Sequence, residues 1–404
     1  MEHSEKQKVA VIGAGLAGCS VAYELSKYSE FDISVFDEKS SVANMASGNY
    51  AGILSPNLTS DNNLSDQFHT LGYEVLLDFI NNHKHLLDIC STGIVRPLSN
   101  ENDLARYTNT FKKRQISVNI AVLMDKEAVK KLTNNQSHNP AVYYPNALSL
   151  VPKTLCELWL NLSKVNVCLD SKLESISKSQ NNKWILDFKD NEQEFDIVVF
   201  AGGYDLFKNI SQLNKIPTFS SHGQLTMIEK SFDVESAFID KGYIIPNYNG
   251  DKQVIGATFR KNTDSAGEIR ASDDDFNISH IKNMLPAIDT NDIQILQSRV
   301  GVRCVTSDHL PIIGKIVDYD KFEELFYKPL ANGYPSSKMP NIPYEDGMYL
   351  ASGFGSKGLC SSLLSAKIIS ASILRKESPI SHKLQKSLSP HRFWVRNFKK
   401  CIKS

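Results

Sequence analysis

The sequence predicts a mixed fold, α/β plus α+β, with a Rossmann-type nucleotide-binding domain and a second, sheet-rich domain. Three observations support it. Residues 8–38 have the pattern of a strand, a glycine-rich turn, a helix and a second strand. Residues 195–203 form an apolar run that ends in small residues, and residues 216–260 hold several short strand-like runs. A length of 404 residues allows two domains or three.

The first segment is a complete βαβ fingerprint. Lys8–Ile12 and Asp32–Phe36 are predicted strands, and Leu16–Tyr28 is the predicted helix between them. The turn carries three glycines in G-x-G-x-x-G spacing: Gly13, Gly15 and Gly18. With both strands and the helix in place, the spacing predicts a dinucleotide site, although it does not separate NAD from FAD.

Each fingerprint residue has a physical role. Gly13 permits the tight turn, Gly15 lets the backbone approach a pyrophosphate at the helix N-terminus, and Gly18 lets the helix pack close to the strand. Asp37 follows the second strand, 19 residues after Gly18, where a carboxylate can accept hydrogen bonds from a ribose diol. Glu38 is the alternative for that role.

Two later segments end in small residues. The predicted strand Phe195–Phe200 runs into Ala201-Gly202-Gly203, which suits either a bound dinucleotide or an ordinary strand-to-turn exit. The loop Gly353–Gly358 precedes the predicted helix Leu359–Leu374. Glycines before a helix point N–H groups at something electron-rich, which in a flavoenzyme could be the pyrimidine edge of the flavin, where Lys357 could add positive charge. A plain tight loop is the other interpretation.

The rest of the chain gives weaker signals. Leu71–Ile89 is predicted to be a helix, and residues 98–146 are polar and lack clear periodicity. Residues 262–275 are expected to form a solvated acidic loop rather than a metal site. The strand-like runs of the sheet-rich region are Gln224–Ile228, Tyr243–Pro246 and Val254–Thr258.

Composition excludes several classes of protein. With 41% hydrophobic and 22% charged residues, the chain is not collagen-like, low-complexity or disordered. No apolar run approaches the roughly 18–20 residues of a membrane span. The seven cysteines are scattered without a C-x-x-C pair, so no metal site and no disulfide framework are expected, and the cytoplasm is the expected compartment.

The motifs resemble a known superfamily. The fingerprint, Gly301-Val302-Arg303 with Asp308, Pro311–Gly314 and the Gly353–Gly358 loop are similar to those of the D-amino-acid-oxidase-like FAD oxidoreductases, which include glycine and sarcosine oxidases. The resemblance is closer to one family, the FAD-dependent oxidase halves of the bacterial bifunctional enzymes that make 5-methylaminomethyl-2-thiouridine in tRNA. It runs from about residue 8 to the C-terminus. The segments that carry it are Ala46–Asn49, Gly52, Pro56, Arg299–Gly314, Gly355–Cys360 and Ser389–Arg396.

The resemblance implies FAD as cofactor and a division of the chain. Residues 1–90, 146–215 and 301–377 would form the FAD-binding domain. Residues 91–145 would be a substrate or cap insertion, residues 216–300 the sheet of the substrate domain, and residues 378–404 a basic C-terminal segment.

The resemblance also implies site residues. Arg303 matches the arginine that binds the substrate carboxylate, which a planar guanidinium can hold as a bidentate fork. Lys357 and Tyr243 are the other candidate catalytic residues. Tyr243 could line the substrate pocket, although a strand tyrosine is commonly only packed. For Cys360, a buried helix residue is favoured over a covalent flavin link. The candidate cofactor-binding residues are Gly13, Gly15, Gly18, Asp37, Ser47, Gly48, Asn49, Gly202, Gly353, Gly355, Ser356, Lys357 and Gly358.

The implied reaction oxidises 5-carboxymethylaminomethyl-(2-thio)uridine at the tRNA wobble position to 5-aminomethyl-(2-thio)uridine and releases glyoxylate. Molecular oxygen would be the electron acceptor, and a separate methyltransferase would act downstream. The alternative is oxidation of a free small amino acid, such as glycine, sarcosine or a D-amino acid. A non-enzymatic nucleotide- or RNA-binding module is disfavoured, because flavin-edge motifs and a carboxylate-binding arginine occur together.

Three departures from the family pattern stand out. The methyltransferase half usually fused N-terminally is missing, so this chain is expected to act alone. His222-Gly223-Gln224 stands where the family usually has Arg-Gly-Gln, which puts an anion-binding role there in doubt. Asp37 stands where Glu is commoner, and either carboxylate can hold a ribose.

The C-terminal segment is strongly basic. Residues 378–404 contain seven Lys or Arg and no Asp or Glu, although the whole chain has 45 of each charge. Phe393, Trp394 and Phe398 lie among them. Basic residues at this end could contact tRNA phosphates while the aromatic side chains anchor the segment or stack on bases. A solvated terminal helix is the other interpretation.

Overall fold

The computed structural model describes residues 5–189, 191–261 and 267–400. Its helices, α1–α12 in chain order, are Leu16–Ser26, Leu64–His83, Glu101–Arg114, Lys126–Leu132, Pro152–Leu162, Tyr204–Asn209, Ala271–Ser279, Ile281–Met284, Tyr319–Ala331, Gly358–Ile373, His382–Leu388 and Arg392–Lys400. Short 3-10 turns lie at Ala46–Gly48, Lys84–Leu86 and Ser336–Lys338.

The strands fall into three sheets of six, three and ten strands within the described residues. In chain order, β1–β19 are Gln7–Ile12, Phe31–Phe36, Gly52–Leu54, Ile89–Pro97, Val122–Met124, Ala141–Leu150, Asn166–Cys168, Ser175–Lys178, Trp184–Asp187, Glu192–Phe195, Ile197–Phe200, Phe219–Glu229, Ala237–Ile239, Tyr243–Tyr248, Lys252–Gly256, Arg260–Lys261, Ile295–Val305, Ile312–Val317 and Tyr344–Ser352.

The six-stranded sheet is the nucleotide-binding sheet. Its order is β18-β19-β11-β1-β2-β7, parallel except for the β18–β19 pair. Helices α1 and α10 pack against each other beside this sheet, and the first helix ends at Ser26. The central strands are buried on both faces, as expected when helices cover a parallel sheet. The predicted mixed fold with a Rossmann-type domain is therefore confirmed.

The ten-stranded sheet is the second layer of the molecule. Its main path is β16-β12-β15-β14-β13-β4-β6-β3, with β17 paired along β12 and β5 paired with β6. The segments 91–145 and 216–300 thus contribute strands to one sheet. Boundaries drawn after residues 90, 145 and 300 fall inside β4, β6 and β17, because each strand continues its ladder through them.

Two predicted segments differ in the structure. The helix expected at residues 71–89 is α2, which begins at Leu64 because the Asn63 side chain caps it by accepting from Asp66 N. The helix ends at His83 and does not reach the predicted end at Ile89. A 3-10 turn follows at Lys84–Leu86, and Ile89 already belongs to strand β4, which pairs with β6. Residues 98–146 contain α3, α4 and most of β6. The polar helix α3 buries only Tyr107 and Thr110, so it shows no apolar stripe.

The acidic segment is also different from the expectation of a solvated loop. Residues 271–279 form α7, in which Asp273 and Asp274 are buried. Asp274 accepts from the hydroxyls of Thr226 and Ser298, and Asp273 pairs with Arg260 at 3.0 Å. These partners lie on neighbouring strands, which a charge pattern does not reveal. Residues 262–266 of the predicted loop lie outside the described residues.

Candidate functional site

The turn between β1 and α1 has the geometry that its glycines predict. Gly13 adopts a φ of +113°, and its N–H donates to Phe36 O at 2.7 Å. A Cβ on Gly18 would lie 1.7 Å from Gly13 O, so this glycine is needed for packing. Asp37 Oδ2 accepts from Ala14 N at 2.7 Å and Oδ1 from Lys39 N at 2.9 Å. The turn and the carboxylate are therefore held in one fixed arrangement.

A second loop, residues 44–49, closes over this turn. Ser47 Oγ accepts from Leu16 N at 3.0 Å, which ties the loop to the first residue of α1. Arg299 of β17 donates to Met45 O at 2.7 Å and to Asn44 O. Asn49 Oδ1 is buried and has no hydrogen-bond partner among the described residues. Such an atom at a cavity wall is suited to a ligand that supplies the missing donor.

The loop before α10 forms the opposite wall. Gly353 and Gly355 have φ values of +71° and +54°, which favour glycine. The N–H of Gly355 donates to Cys304 O at 2.9 Å, so the loop is fixed to the end of β17. Across the sheet, Ser352 Oγ donates to Gly202 O at 2.8 Å. The N-termini of α1 and α10 consequently border the same space.

That space is a cavity of about 450 Å³ between the two sheets. It is lined by all the sequence-predicted site residues except Gly18 and Gly48. Gly18 packs against the turn. A Cβ on Gly48 would lie 2.2 Å from Ala43 O, so this glycine shapes the loop from behind. The predicted dinucleotide residues and the predicted catalytic residues therefore meet in one place.

Arg303 is the buried cation of this cavity. It is 7% exposed and comes from β17, and no carboxylate pairs with it among the residues that the structure describes. Its Nη1 donates to Thr258 O at 3.5 Å, and its Cζ lies 4.7 Å from the centre of the Phe259 ring. Burial lowers its pKa, but an arginine stays charged at neutral pH. A buried, unpaired guanidinium calls for an anionic partner.

Tyr243 and Gly223 complete the surroundings of Arg303. Burial raises the pKa of Tyr243 to about 12, against the opposing effect of Arg303, so its hydroxyl is neutral at physiological pH. A Cβ on Gly223 would lie 2.2 Å from Arg303 Nη1, which makes glycine necessary at this point of β12. The neighbouring Gln224 is structural, since its side-chain amide binds the backbone of Arg270 on both sides.

The sequence reasoning missed several lining residues, three of which carry functional side chains. Phe259, Lys241 and Arg96 all line the cavity. Arg96 is an arginine in the apolar strand β4, and it lies 5.7 Å from the ring of Tyr107. A charged residue within an otherwise apolar strand was the only sequence feature that could have identified Arg96. Phe259 and Lys241 lie at strand ends where the sequence shows no pattern.

Two further residues of the family-like segments, Cys360 in Gly355–Cys360 and His309 in Arg299–Gly314, lie outside the cavity lining. Cys360 is buried, and its thiol donates to Ser55 O at 3.3 Å. His309 has a φ of +57° and sits in the turn after Asp308. Within the described residues, no group of three or more His, Cys, Asp or Glu is placed to hold a metal ion. Likewise, none of the described helices has the length and apolar composition to cross a membrane.

The basic C-terminal segment is docked on the body by its aromatic side chains. Phe393, Trp394 and Phe398 are buried, and Trp394 lies 4.8 Å from the ring of Tyr319 on α9. Asp308 pairs with Arg392 at 3.0 Å and with Arg396 at 2.7 Å, so these two cations are engaged within the protein. The exposed cations that remain are Lys383, Lys386, Lys399 and Lys400. Lys403 lies outside the described residues.

The residues present fit a flavin dinucleotide. Two glycine-rich turns and the N-termini of α1 and α10 line the cavity, and Asp37 stands at the end of β2. The buried Asn49 oxygen, which has no partner among the described residues, offers an acceptor in the loop between them. Helix N-termini favour the anionic parts of such a ligand.

Comparison with curated proteins gives relatives of moderate similarity. The chain is 28% identical over 405 aligned residues to the tRNA 5-methylaminomethyl-2-thiouridine biosynthesis bifunctional protein MnmC of Campylobacter fetus subsp. fetus (strain 82-40), covering 98% of this chain. It is 26% identical to the protein of the same name from Burkholderia mallei (strain SAVP1), covering 97% of this chain. The chain spans only 61% and 60% of the length of these two relatives.

Solved structures share the fold. Glycine oxidase from Geobacillus kaustophilus matches with a TM-score of 0.73 at 18% identity, covering 96% of this chain and 99% of that one. L-proline dehydrogenase from P. horikoshii matches with a TM-score of 0.75 at 15% identity, covering 96% and 98%. The model of the family described as FAD dependent oxidoreductase matches residues 8–372. The chain therefore belongs to the FAD-dependent oxidoreductase family, and FAD is its cofactor.

Proposed function

We propose that the chain oxidises the carboxymethylaminomethyl group of 5-carboxymethylaminomethyl-(2-thio)uridine at the tRNA wobble position. The products are 5-aminomethyl-(2-thio)uridine and glyoxylate. The observation that carries this proposal is Arg303, a buried guanidinium that faces the cavity without a carboxylate partner among the described residues. A substrate that carries a carboxylate next to its reacting C–H bond would supply that partner. The relatives named for tRNA 5-methylaminomethyl-2-thiouridine biosynthesis support the choice of substrate.

The dinucleotide end of the cavity would hold the cofactor. The α1 N-terminus with Gly13 and Gly15 is the proposed contact for the pyrophosphate, and Asp37 the contact for the ribose. Ser47 and Asn49 on one side, and residues 355–358 on the other, would border the flavin ring. When bound, FAD supplies the acceptor for the hydride of the substrate C–H bond, and molecular oxygen is the proposed final acceptor, giving hydrogen peroxide.

The protein's own groups position the substrate. Arg303 would hold the carboxylate by two parallel hydrogen bonds, and the neutral Tyr243 hydroxyl can donate a third. Holding the carboxylate fixes the adjacent carbon, which loses its C–H bond while the substrate nitrogen loses a proton and becomes an imine. Water then adds to the imine carbon, and the C–N bond breaks to release glyoxylate and the amine. Lys357 supplies a positive charge at the α10 end of the cavity.

The proposal also defines partners. The substrate is a tRNA, which would place the enzyme in the cytoplasm. The amine product lacks the methyl group that appears in the relatives' name, so a separate methyltransferase is proposed to act on it next.

The decisive experiment is turnover of a defined RNA. The purified holoenzyme is incubated aerobically with tRNA bearing 5-carboxymethylaminomethyluridine, and the nucleosides are analysed by mass spectrometry while glyoxylate is measured in solution. We expect loss of the carboxymethyl group together with an equal amount of glyoxylate. The same tRNA with an unmodified wobble uridine is the control and should give neither product. Rapid oxidation of free glycine or sarcosine without change in the modified tRNA would replace this proposal by the small-amino-acid alternative.

A further inference from the structure

Phe259 is an exposed aromatic side chain at the wall of the cavity. It is 59% exposed although it lines the same cavity as the buried Arg303. The Arg303 guanidinium lies over the ring at 4.7 Å from its centre. One side of the ring therefore contacts the buried cation, and much of the side chain is left open to solvent.

The backbone on both sides of Phe259 is anchored. Thr258 Oγ1 accepts from Gln224 N at 2.9 Å, and Thr258 O accepts from Arg303 at 3.5 Å. On the other side, Arg260 pairs with Asp273 at 3.0 Å. An aromatic ring with fixed neighbours loses little conformational entropy when a ligand packs on it. An exposed, preorganised ring at a cavity wall is suited to a flat ligand.

A cation lines the same cavity as this ring. Lys241 is exposed and lines the cavity, and its ammonium group has no ion pair or hydrogen bond among the described residues. A Cβ on the adjacent Gly242 would lie 2.7 Å from Gly256 O, so the turn that carries Lys241 abuts the chain segment leading to Phe259. Asp240 lines the same cavity, and Lys241 is the cation of this turn that can contact an anion.

We infer that Phe259 stacks on the nucleobase of the substrate and that Lys241 contacts a backbone phosphate beside it. This rests on the proposed function and deepens it: the carboxylate arm reaches inward to Arg303 while the uracil ring stays at the mouth on Phe259. A free amino acid such as glycine is too small to occupy both places. The substrate class is therefore a nucleotide within RNA, selected by aromatic stacking in addition to the carboxylate.

The test compares substrates that can and cannot reach the ring. Phe259→Leu and Phe259→Trp holoenzymes are assayed with an anticodon stem-loop RNA bearing 5-carboxymethylaminomethyluridine, and binding of N-methylglycine is followed by flavin absorbance. Phe259→Leu should raise KM for the RNA about 10- to 100-fold, a clearly larger change than any loss of N-methylglycine binding. Phe259→Trp should keep KM near that of the wild type. Phe276→Leu is the matched control, since Phe276 is 46% exposed and does not line the cavity.

Lys241 is tested by salt dependence. Lys241→Gln should reduce the slope of log KM against log salt for the RNA by about one, as expected for the loss of one phosphate contact. Lys282→Gln, an exposed lysine on α8, should leave the slope unchanged.

The outcomes separate this inference from the proposed function. The stacking inference is overturned if the wild type converts the RNA but Phe259→Leu leaves KM unchanged or Phe259→Trp raises it. The proposed function then stays in place. An equal rise in KM for the RNA in Phe276→Leu would also overturn the stacking inference. A wild type that oxidises free glycine and does not act on the RNA would overturn both.

Discussion

The two ends of the cavity are built from different parts of the chain. At the proposed dinucleotide end, the contacts would come from the turns at residues 13–18 and 353–358 and from the helix N-termini beside them. At the proposed substrate end, they would come from the side chains of Arg303, Tyr243 and Phe259, which the ten-stranded sheet and its connections carry.

This difference determines how each end responds to substitution. A backbone site requires glycine where a Cβ would collide, and the identity of the other side chains matters less. A side-chain site requires particular chemical groups on a frame that many sequences can form. Changes at the first end should therefore remove the cofactor, whereas changes at the second should leave the cofactor bound and impair turnover.

The largest effect is expected at Gly18. Gly18→Ala places a Cβ 1.7 Å from Gly13 O, so the turn and α1 must separate at a cost of about 3 kcal/mol. We expect the purified variant to lack the flavin absorbance band and to melt at a lower temperature. Gly347→Ala is the control for loss of stability alone, because a Cβ there would lie 2.4 Å from Asp196 O and the residue does not line the cavity, so it should melt at a lower temperature and keep its flavin. Normal flavin content in Gly18→Ala would show that the turn tolerates displacement.

The next effect is expected at Arg303. Arg303→Ala should lower kcat/KM for the carboxylated nucleoside about 10²- to 10³-fold while the flavin spectrum stays unchanged, because a buried charged partner is lost only at the substrate end. Arg303→Lys should restore only part of the activity, since an ammonium cannot form the bidentate fork.

The matched substrate for Arg303 is the ester of the same nucleoside. Its oxidation should be slow in the wild type and insensitive to either substitution. Persistent activity of Arg303→Ala with an unchanged KM would mean that another group binds the carboxylate.

The same contrast explains what the sequence could predict. The glycine spacing and Asp37 mark the dinucleotide end because its local requirements lie within about 30 residues of chain. The Arg303 contacts depend on the register of β17 against β12, which places Ser221 opposite Arg303 and Gly223 opposite Gly301. No local pattern encodes that register, so the motif resemblance identified Arg303 but gave neither its partners nor Phe259.

The C-terminal segment shows a second limit. Its basic composition suggested a set of free cations, but Arg392 and Arg396 pair with Asp308, which lies 84 and 88 residues earlier in the chain. The Trp394 ring packs on α9, where it contacts the rings of Tyr319 and Phe322. Composition alone does not distinguish cations used within the protein from cations available to a partner.

The ion pairs of Asp308 with Arg392 and Arg396 make the free energy of unfolding depend on pH. Burial alone would raise the pKa of Asp308, but the hydrogen bonds and charge of Arg392, together with Arg396, lower it to about 2. This stabilisation is present above the usual carboxyl value of 3.8 and is lost as pH falls through about 2. Between pH 6 and pH 2, the free energy of unfolding should fall by about 2 kcal/mol more in the wild type than in Asp308→Asn.

Denaturant titration at each pH measures this difference. Asp233→Asn is the control, because the Asp233 side chain is 76% exposed and should not alter the pH dependence of unfolding. Parallel acid curves for the wild type and Asp308→Asn would show that the pair does not hold the C-terminal segment in place.

The smallest effect is expected for the lysines at the end of α12. Lys399 and Lys400 are exposed and have no ion pair within the described residues, so they are the cations of this helix that remain for RNA phosphates. The double variant Lys399→Gln/Lys400→Gln should weaken binding of the tRNA about 3- to 10-fold at low salt and reduce the salt slope by up to about two. Filter binding across a salt series measures both, with Lys112→Gln/Lys113→Gln on α3 as the matched pair. An unchanged slope would assign α12 to anchoring alone and leave RNA contact to the cavity mouth.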